Sequence, residues 1–130
     1  MRIGVIEDNI EVQNHISRLI ESWDKKCEIV YKGESVSDAV ELFNRDDIDL
    51  AILDINLKEG LVFDALDRTN DVKCDILFSS SYGDHALRAF KYSAINFFLK
   101  PIEAEKLYEG LNKVFSKRIL KKHSRDQTTS

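Results

Sequence analysis

Cysteine is scarce in this chain: Cys27 and Cys74 are the two present, too few for a disulfide framework and without the spacing of metal ligands. Each falls at the entry to a predicted strand. In the strand order argued below those strands are not neighbours, so a bridge does not fit the geometry and both read as free structural thiols. No apolar run approaches the roughly 20 residues that span a bilayer. Met1-Arg2-Ile3 leads straight into a strand with no secretory hydrophobic stretch. A disulfide-stapled secreted module and a membrane protein are therefore set aside, and we expect a cytoplasmic chain without membrane contact. There is no internal repeat and no low-complexity block.

What is present is ordinary for a folded domain: 130 residues, 43% hydrophobic and 32% charged. The length matches one domain of roughly 100–150 residues and suffices to bury about two-thirds of the unfolded surface. The net charge of −4 is unevenly spread, because residues 113–130 hold six basic side chains and one acidic. That basic stretch reads either as a helix end, where cations suit the helix dipole, or as a junction to an acidic partner or a further domain. Nucleic-acid binding by this piece itself is not expected, given its acidic body.

Strand-like runs fall at 2–7, 27–32, 49–54, 75–79 and 95–99. Segments of helical spacing separate them. Val12, Ile16, Leu19, Ile20 and Trp23 mark one face of a first helix, with Asp8 or Asn9 as N-cap. Ser35 caps a second, carrying Val36, Ala39, Val40 and Phe43. A short third runs from about Leu61 to Asp67 after the breaker Gly60. The fourth places Tyr82, Ala86, Ala89 and Phe90 on one side, and the last, after Pro101, repeats Leu107, Leu111, Val114, Phe115 and Ile119. It is predicted to end near Lys122, leaving 123–130 as a disordered tail or a truncated linker. Alternating strands and helices predict a doubly wound α/β domain over 1–122, with a five-stranded parallel sheet covered on both faces.

Three strand ends carry charge. Ile3-Gly4-Val5-Ile6 runs into Glu7-Asp8, Leu50-Ala51-Ile52-Leu53 ends on Asp54, and Phe97-Phe98-Leu99 runs into Lys100-Pro101. In a parallel sheet these ends point to the crevice where open α/β sheets bind ligands. Carboxylates so close repel unless a cation neutralises them. All-oxygen ligation without histidine favours Mg²⁺ over zinc. An aspartate beside Mg²⁺ can attack a phosphoryl group and become an aspartyl-phosphate, with Lys100 paired to another phosphoryl oxygen. Ser79, Ser80 or Ser81 offers a hydroxyl for a third. The plainer reading, strand-end acids serving as helix caps, suits Asp8 alone but not the four groups together.

Those residues give the chain a clear likeness. Glu7-Asp8, Asp54 within Ile52-Leu53-Asp54-Ile55-Asn56-Leu57, Ser80 and Lys100-Pro101 resemble the receiver domain of response regulators. The stretch Phe78 to Ile102 is similar to receivers of the LytTR (LytR/AgrA) branch. The resemblance implies a flavodoxin-like fold with strand order 2-1-3-4-5. It also implies Asp54 as acceptor of a phosphoryl group from a sensor histidine kinase. Glu7, Asp8 and Asp54 would hold Mg²⁺ with the backbone carbonyl of Asn56. Ser80 takes the place of the switch hydroxyl, Lys100 that of the family lysine, and Phe97 that of the aromatic whose rotamer reports phosphorylation. Asn56 and Tyr82 flank the site where aspartyl-phosphate lifetime is set.

Three positions depart from the family pattern. Glu7 stands where Asp is commoner, Lys58 where Pro often follows, and Ser81 where a small apolar residue is usual; Ser81 therefore stays beside Ser80 as a second hydroxyl for the switch role. Phosphorylation would change the face made by the fourth helix, fifth strand and fifth helix, with Arg88 and Lys91 on or near it, and that face would pair with a second copy. His15, His85 and His123 read as scattered and exposed, and Trp23 as a packing residue. Two other functions remain on the residues alone. A degenerate receiver would act only as an interaction module. A haloacid-dehalogenase-like phosphatase would need an acid two residues after its nucleophile, where Asn56 stands. Receivers of the LytTR branch precede a DNA-binding domain, for which no residues remain here.

Overall fold

The structure, a computed structural model, describes residues 1–23 and 26–128, with side chains placed through Lys122. Five strands form one parallel sheet: β1 (Arg2–Ile6), β2 (Glu28–Gly33), β3 (Leu50–Asp54), β4 (Asp75–Ser80) and β5 (Asn96–Leu99). Their order across the sheet is β2-β1-β3-β4-β5, as expected. Helices α1 (Ile10–Glu21), α2 (Val36–Phe43), α3 (Phe63–Asp67), α4 (Ala86–Phe90) and α5 (Ala104–Thr128) make the crossovers. Among the described residues no helix is long and apolar enough to cross a membrane.

Alternation along each strand sorts the core into two halves, because successive side chains point to opposite faces. Ile3, Val5, Leu50, Ile52, Leu77 and Phe98 pack beneath α1 and α5 with Ile16, Ile20, Leu107 and Leu111. Ala51, Leu53, Ile76 and Phe78 pack beneath α2, α3 and α4 with Ala39, Leu42, Phe63 and Ala89. All five residues of β3 are buried, the expectation for a middle strand with a helix layer on each side.

Local chemistry sets the helix starts. Asn9, not Asp8, caps α1, its side chain accepting from the N–H groups of Glu11 and Val12. Ser35 caps α2 by accepting from Asp38 N–H. Between β3 and α3 the chain makes a two-residue antiparallel ladder, 56–57 against 60–61, that the sequence reading missed. Gly60 turns it at φ +146°, a conformation L side chains rarely adopt.

The fourth helix departs most from expectation. A 3₁₀ turn over Gly83–His85 precedes α4, and its tighter winding breaks the 3.6-residue phase drawn from Tyr82. Ala89 is buried, but Tyr82 and Phe90 are exposed. His85, read as exposed, is half-buried. At the other end α5 continues to Thr128 rather than stopping near Lys122, and Ile119 lies exposed instead of extending the buried stripe. Residues 129 and 130 of the expected tail, and the side chains from His123 onward, lie outside the described residues. Cys27 and Cys74 are free and half-buried, and burial raises both thiols, Cys74 to about 11. Trp23 packs edge-on against Phe115, ring centroids 6.2 Å apart.

Gly110 lets α5 lie close against β5: a Cβ there would stand 2.7 Å from Phe98 Cζ and 3.5 Å from Leu77 Cδ2. Alanine would gain up to about 1 kcal/mol of helix propensity. Both contacts are buried and the Phe98 ring is rigid, so overpacking, which costs about 1–3 kcal/mol, should outweigh it. Gly110→Ala is expected to lower the urea midpoint of unfolding. An unchanged or higher midpoint would show that the sheet yields at this contact.

Candidate functional site

The charged residues are the next steps of rows that begin in the core. Glu7 continues Ile3–Val5, Asp54 continues Leu50–Ile52, and Lys100 continues Phe98, all on the α1/α5 face by the two-residue period. The ladder fixes their backbones beyond the strand ends. Glu7 N–H donates to Gly33 O at 2.9 Å, Ile55 N–H to Ser79 O at 2.9 Å, and Lys100 N–H to Ser80 O at 2.8 Å. The Lys100–Pro101 peptide is cis.

Glu7 is 1% and Asp54 3% exposed, so two carboxylates are withdrawn from water side by side. Lys100 Nζ stands between them, 2.6 Å from Glu7 Oε1 and 3.2 Å from Asp54 Oδ2. Burial, and then the Glu7 charge, push the Asp54 carboxyl up to about 7 against the pull of Lys100. Burial opposes the charge of Lys100, but Glu7 and Asp54 outweigh it and hold the ammonium above its ordinary range. One ammonium does not balance this site.

Asp8 adds a third carboxylate, and single oxygens of Glu7, Asp8 and Asp54 lie within 4.8 Å of one another. This oxygen-rich donor set, with an excess of negative charge, fits a hard divalent cation such as Mg²⁺. Asn56 follows two residues after Asp54, and its N–H donates to Asp54 Oδ1 at 3.3 Å.

The three hydroxyls separate. Ser81 is exposed. Ser79, opposite Asp54 in the β3–β4 register, is buried, and its Oγ has no hydrogen-bond partner among the described residues. Ser80 Oγ accepts from Tyr82 N–H at 3.0 Å, lies 3.5 Å from Asn56 Nδ2, and sits 3.1 Å from His85 Nδ1. Phe97 is half-buried against the α2–α4 half of the core.

Two supports escaped the sequence reading. Gln13 is buried on α1, and its Nε2 donates to Glu7 O at 3.2 Å and Gly33 O at 3.1 Å, tying the tops of β1 and β2 together. It sits in the buried stripe with Ile16, Ser17 and Ile20, so a polar residue at an apolar position was the available signal. His85 lies in the 3₁₀ turn before α4, a winding that leaves no periodic signal in the sequence. His15 is exposed, as read, with Nε2 3.2 Å from Ile102 O.

Arg88 and Lys91 are both exposed. The Arg88 guanidinium stands 4.4 Å from the Phe63 ring centroid, and Lys91 borders a hollow lined by Leu66 and Val72 on one side and by Lys117 and Lys121 of α5 on the other. On the helical wheel Phe90 lies on the opposite flank from Arg88, toward β5. The exposed side chains there are apolar: Leu87 81%, Phe90 56% and Leu99 56%.

Residues 3–112 match the response regulator receiver domain family. The chain belongs to that family. Among curated proteins it is 30% identical over 116 residues to the sensory transduction protein LytR of Staphylococcus saprophyticus, covering 88% of this chain and 45% of that one. It is 28% identical to LytT of Bacillus anthracis, covering 87% and 46%. The chain thus spans about half the length of these relatives. The solved response regulatory domain of mrkE from Klebsiella pneumoniae superposes with a TM-score of 0.77 at 24% identity, over 90% of this chain and 97% of that one. A response regulator receiver domain protein from Clostridium thermocellum gives 0.76 at 22%, over 92% and 97%. These structures share the fold read above.

The raised Asp54 carboxyl sets a pH dependence. Between the ordinary carboxylate value of about 4 and about 7, the folded protein holds a proton that the unfolded chain has released. Stability therefore falls as pH rises through this window and the cost is fully present above it. Without divalent metal, Asp54→Asn should stabilise the protein by about 1–3 kcal/mol at pH 8, shrinking toward pH 4. Urea unfolding in a chelator measures this. A gain that does not change across the window would show that buried charge is not its cause.

Proposed function

We propose that this chain is the phosphoryl-accepting receiver of a two-component response regulator, with Asp54 as acceptor. The observation that carries the reading is the buried Glu7–Asp54 pair, joined by Asp8 and bridged by Lys100. An Asp54 carboxylate oxygen attacks the phosphorus of a phosphohistidine on a sensor kinase. The P–O bond forms, the P–N bond breaks, and the imidazole leaves with its electron pair and takes a proton. Glu7, Asp8, Asp54 and the Asn56 carbonyl would hold Mg²⁺. Bound there, the ion supplies charge that keeps the carboxylates ionised and screens the phosphoryl oxygens.

Lys100 is placed to pair with a phosphoryl oxygen as Asp54 loses its own charge to the new bond. The Ser80 hydroxyl donates to another, drawing the loop after β4 inward and making room for Phe97 to turn in. The domain is then a signalling element of the cytoplasm, with phosphorylation and dephosphorylation of its own aspartate as its chemistry. The readout is pairing with a second copy through α4, β5 and α5, supported by the exposed Leu87, Phe90 and Leu99. Any action on DNA would pass through a further domain, in keeping with relatives about twice this length.

Incubation with acetyl phosphate and Mg²⁺, followed by intact-mass spectrometry, is the direct test. One phosphoryl adduct is expected, absent in Asp54→Asn and absent without Mg²⁺. A folded protein with no adduct would leave a degenerate interaction module. Gel filtration with beryllofluoride and Mg²⁺ is expected to show a dimer, and Phe90→Asp is expected to keep the protein monomeric. An unchanged mass in the wild-type protein would count against pairing.

A further inference from the structure

We infer that His85 is a positioning residue for the switch hydroxyl, holding the proton of Ser80 until a phosphoryl oxygen competes for it. The inference rests on the receiver reading above. A serine hydroxyl has one proton and two acceptor lone pairs. Tyr82 N–H, 3.0 Å away, and Asn56 Nδ2, 3.5 Å away, both donate toward Ser80 Oγ. The single proton is left for the remaining neighbour, His85 Nδ1 at 3.1 Å. His85 must then be neutral at Nδ1, with its ring proton on Nε2.

The ring is held in place for this contact. It meets Phe63 edge-on at 6.3 Å and Tyr82 edge-on at 6.0 Å between centroids. Phe63 is fully buried, so one wall of the slot belongs to the core. The 3₁₀ turn that upset the helical phase of this segment is what brings His85 under the end of β4. Phe97, on neighbouring β5, has no polar atom with which to hold the hydroxyl, so the anchor comes from the 3₁₀ turn before α4.

Bringing the Ser80 proton to a phosphoryl oxygen on Asp54 therefore breaks its bond to His85. No covalent step is added: one hydrogen-bond acceptor replaces another. His85 thereby sets how strongly the unphosphorylated arrangement of the loop after β4 resists the switched one. Removing the acceptor frees the proton in advance and should ease the switch.

Two measurements decide this. In the free protein, nitrogen chemical shifts of the His85 ring are expected to show the Nε2–H tautomer with Nδ1 as acceptor, and Ser80→Ala is expected to move the Nδ1 shift. An unmoved shift would overturn the bond itself, whatever the domain does with phosphate. Calorimetric affinity for beryllofluoride with Mg²⁺ tests the consequence. A net hydrogen bond of ordinary strength corresponds to a gain of about three- to tenfold for His85→Leu. His85→Asn, whose amide oxygen accepts near the place of Nδ1, should stay within about twofold of wild type. The leucine gain should vanish in a Ser80→Ala background. An equal gain from asparagine, or a gain that survives without Ser80, would assign the effect to ring packing and overturn the inference. If the wild-type protein does not bind beryllofluoride, the receiver reading itself falls, and the nitrogen shifts still report the Ser80–His85 bond.

Discussion

Two carboxylates buried side by side, answered by one ammonium, are the constraint on which the upper end of this domain depends. Withdrawing like charges from water is costly unless they are paired and hydrogen-bonded. Lys100 reaches both Glu7 and Asp54, and the Asn9 and Asn56 N–H groups donate to these same two side chains. That arrangement is possible because β1, β3 and β5 end level with one another and present the same face. The parallel register is thus what turns three separated sequence positions into one electrostatic unit. Asp54 still carries its proton far above the ordinary carboxylate range, so the site favours added positive charge before any ligand chemistry is considered.

Much of this was legible because the strands are apolar runs that end on charge. The abruptness of Leu53-Asp54 and Ile6-Glu7, together with parallel topology, is enough to gather the acids at one edge of the sheet. Helices α1 and α2 were equally readable, since Asn9 and Ser35 cap amphipathic stretches. The segment around α4 was not. Its apolar residues are spaced as if a helix began at Tyr82, but the chain first winds as a 3₁₀ turn, and periodicity carries no information about winding. The Arg88 guanidinium over the Phe63 ring is a contact that no spacing in the sequence announces. The 56–57/60–61 ladder is too short to leave a pattern.

The two faces of the sheet divide the labour of the site. The acids and Lys100 belong to the rows under α1 and α5. Phe97 belongs to the rows under α2, α3 and α4, and Ser80 with His85 sits at the α4 end of the site. The end of β4 joins the two sides: Ser80 O accepts from Lys100 N–H, and Ser80 Oγ meets His85 Nδ1.

What can move is decided by how α4 is attached. It has five residues, of which Ala89 is the buried one, so it lies at the low-stability end of the fold. Its α3 flank is nonetheless pinned: Tyr92 stacks on Phe63 at 5.2 Å and donates to Asp67 at 2.6 Å, and Arg88 covers the same ring. These ties of α4 and the turn after it thus converge on Phe63 and the end of α3. On the other flank of α4 Phe90 is exposed, as is Leu99 on β5. The exposed apolar side chains on that flank, Leu87, Phe90 and Leu99, are what the proposed pairing rests on.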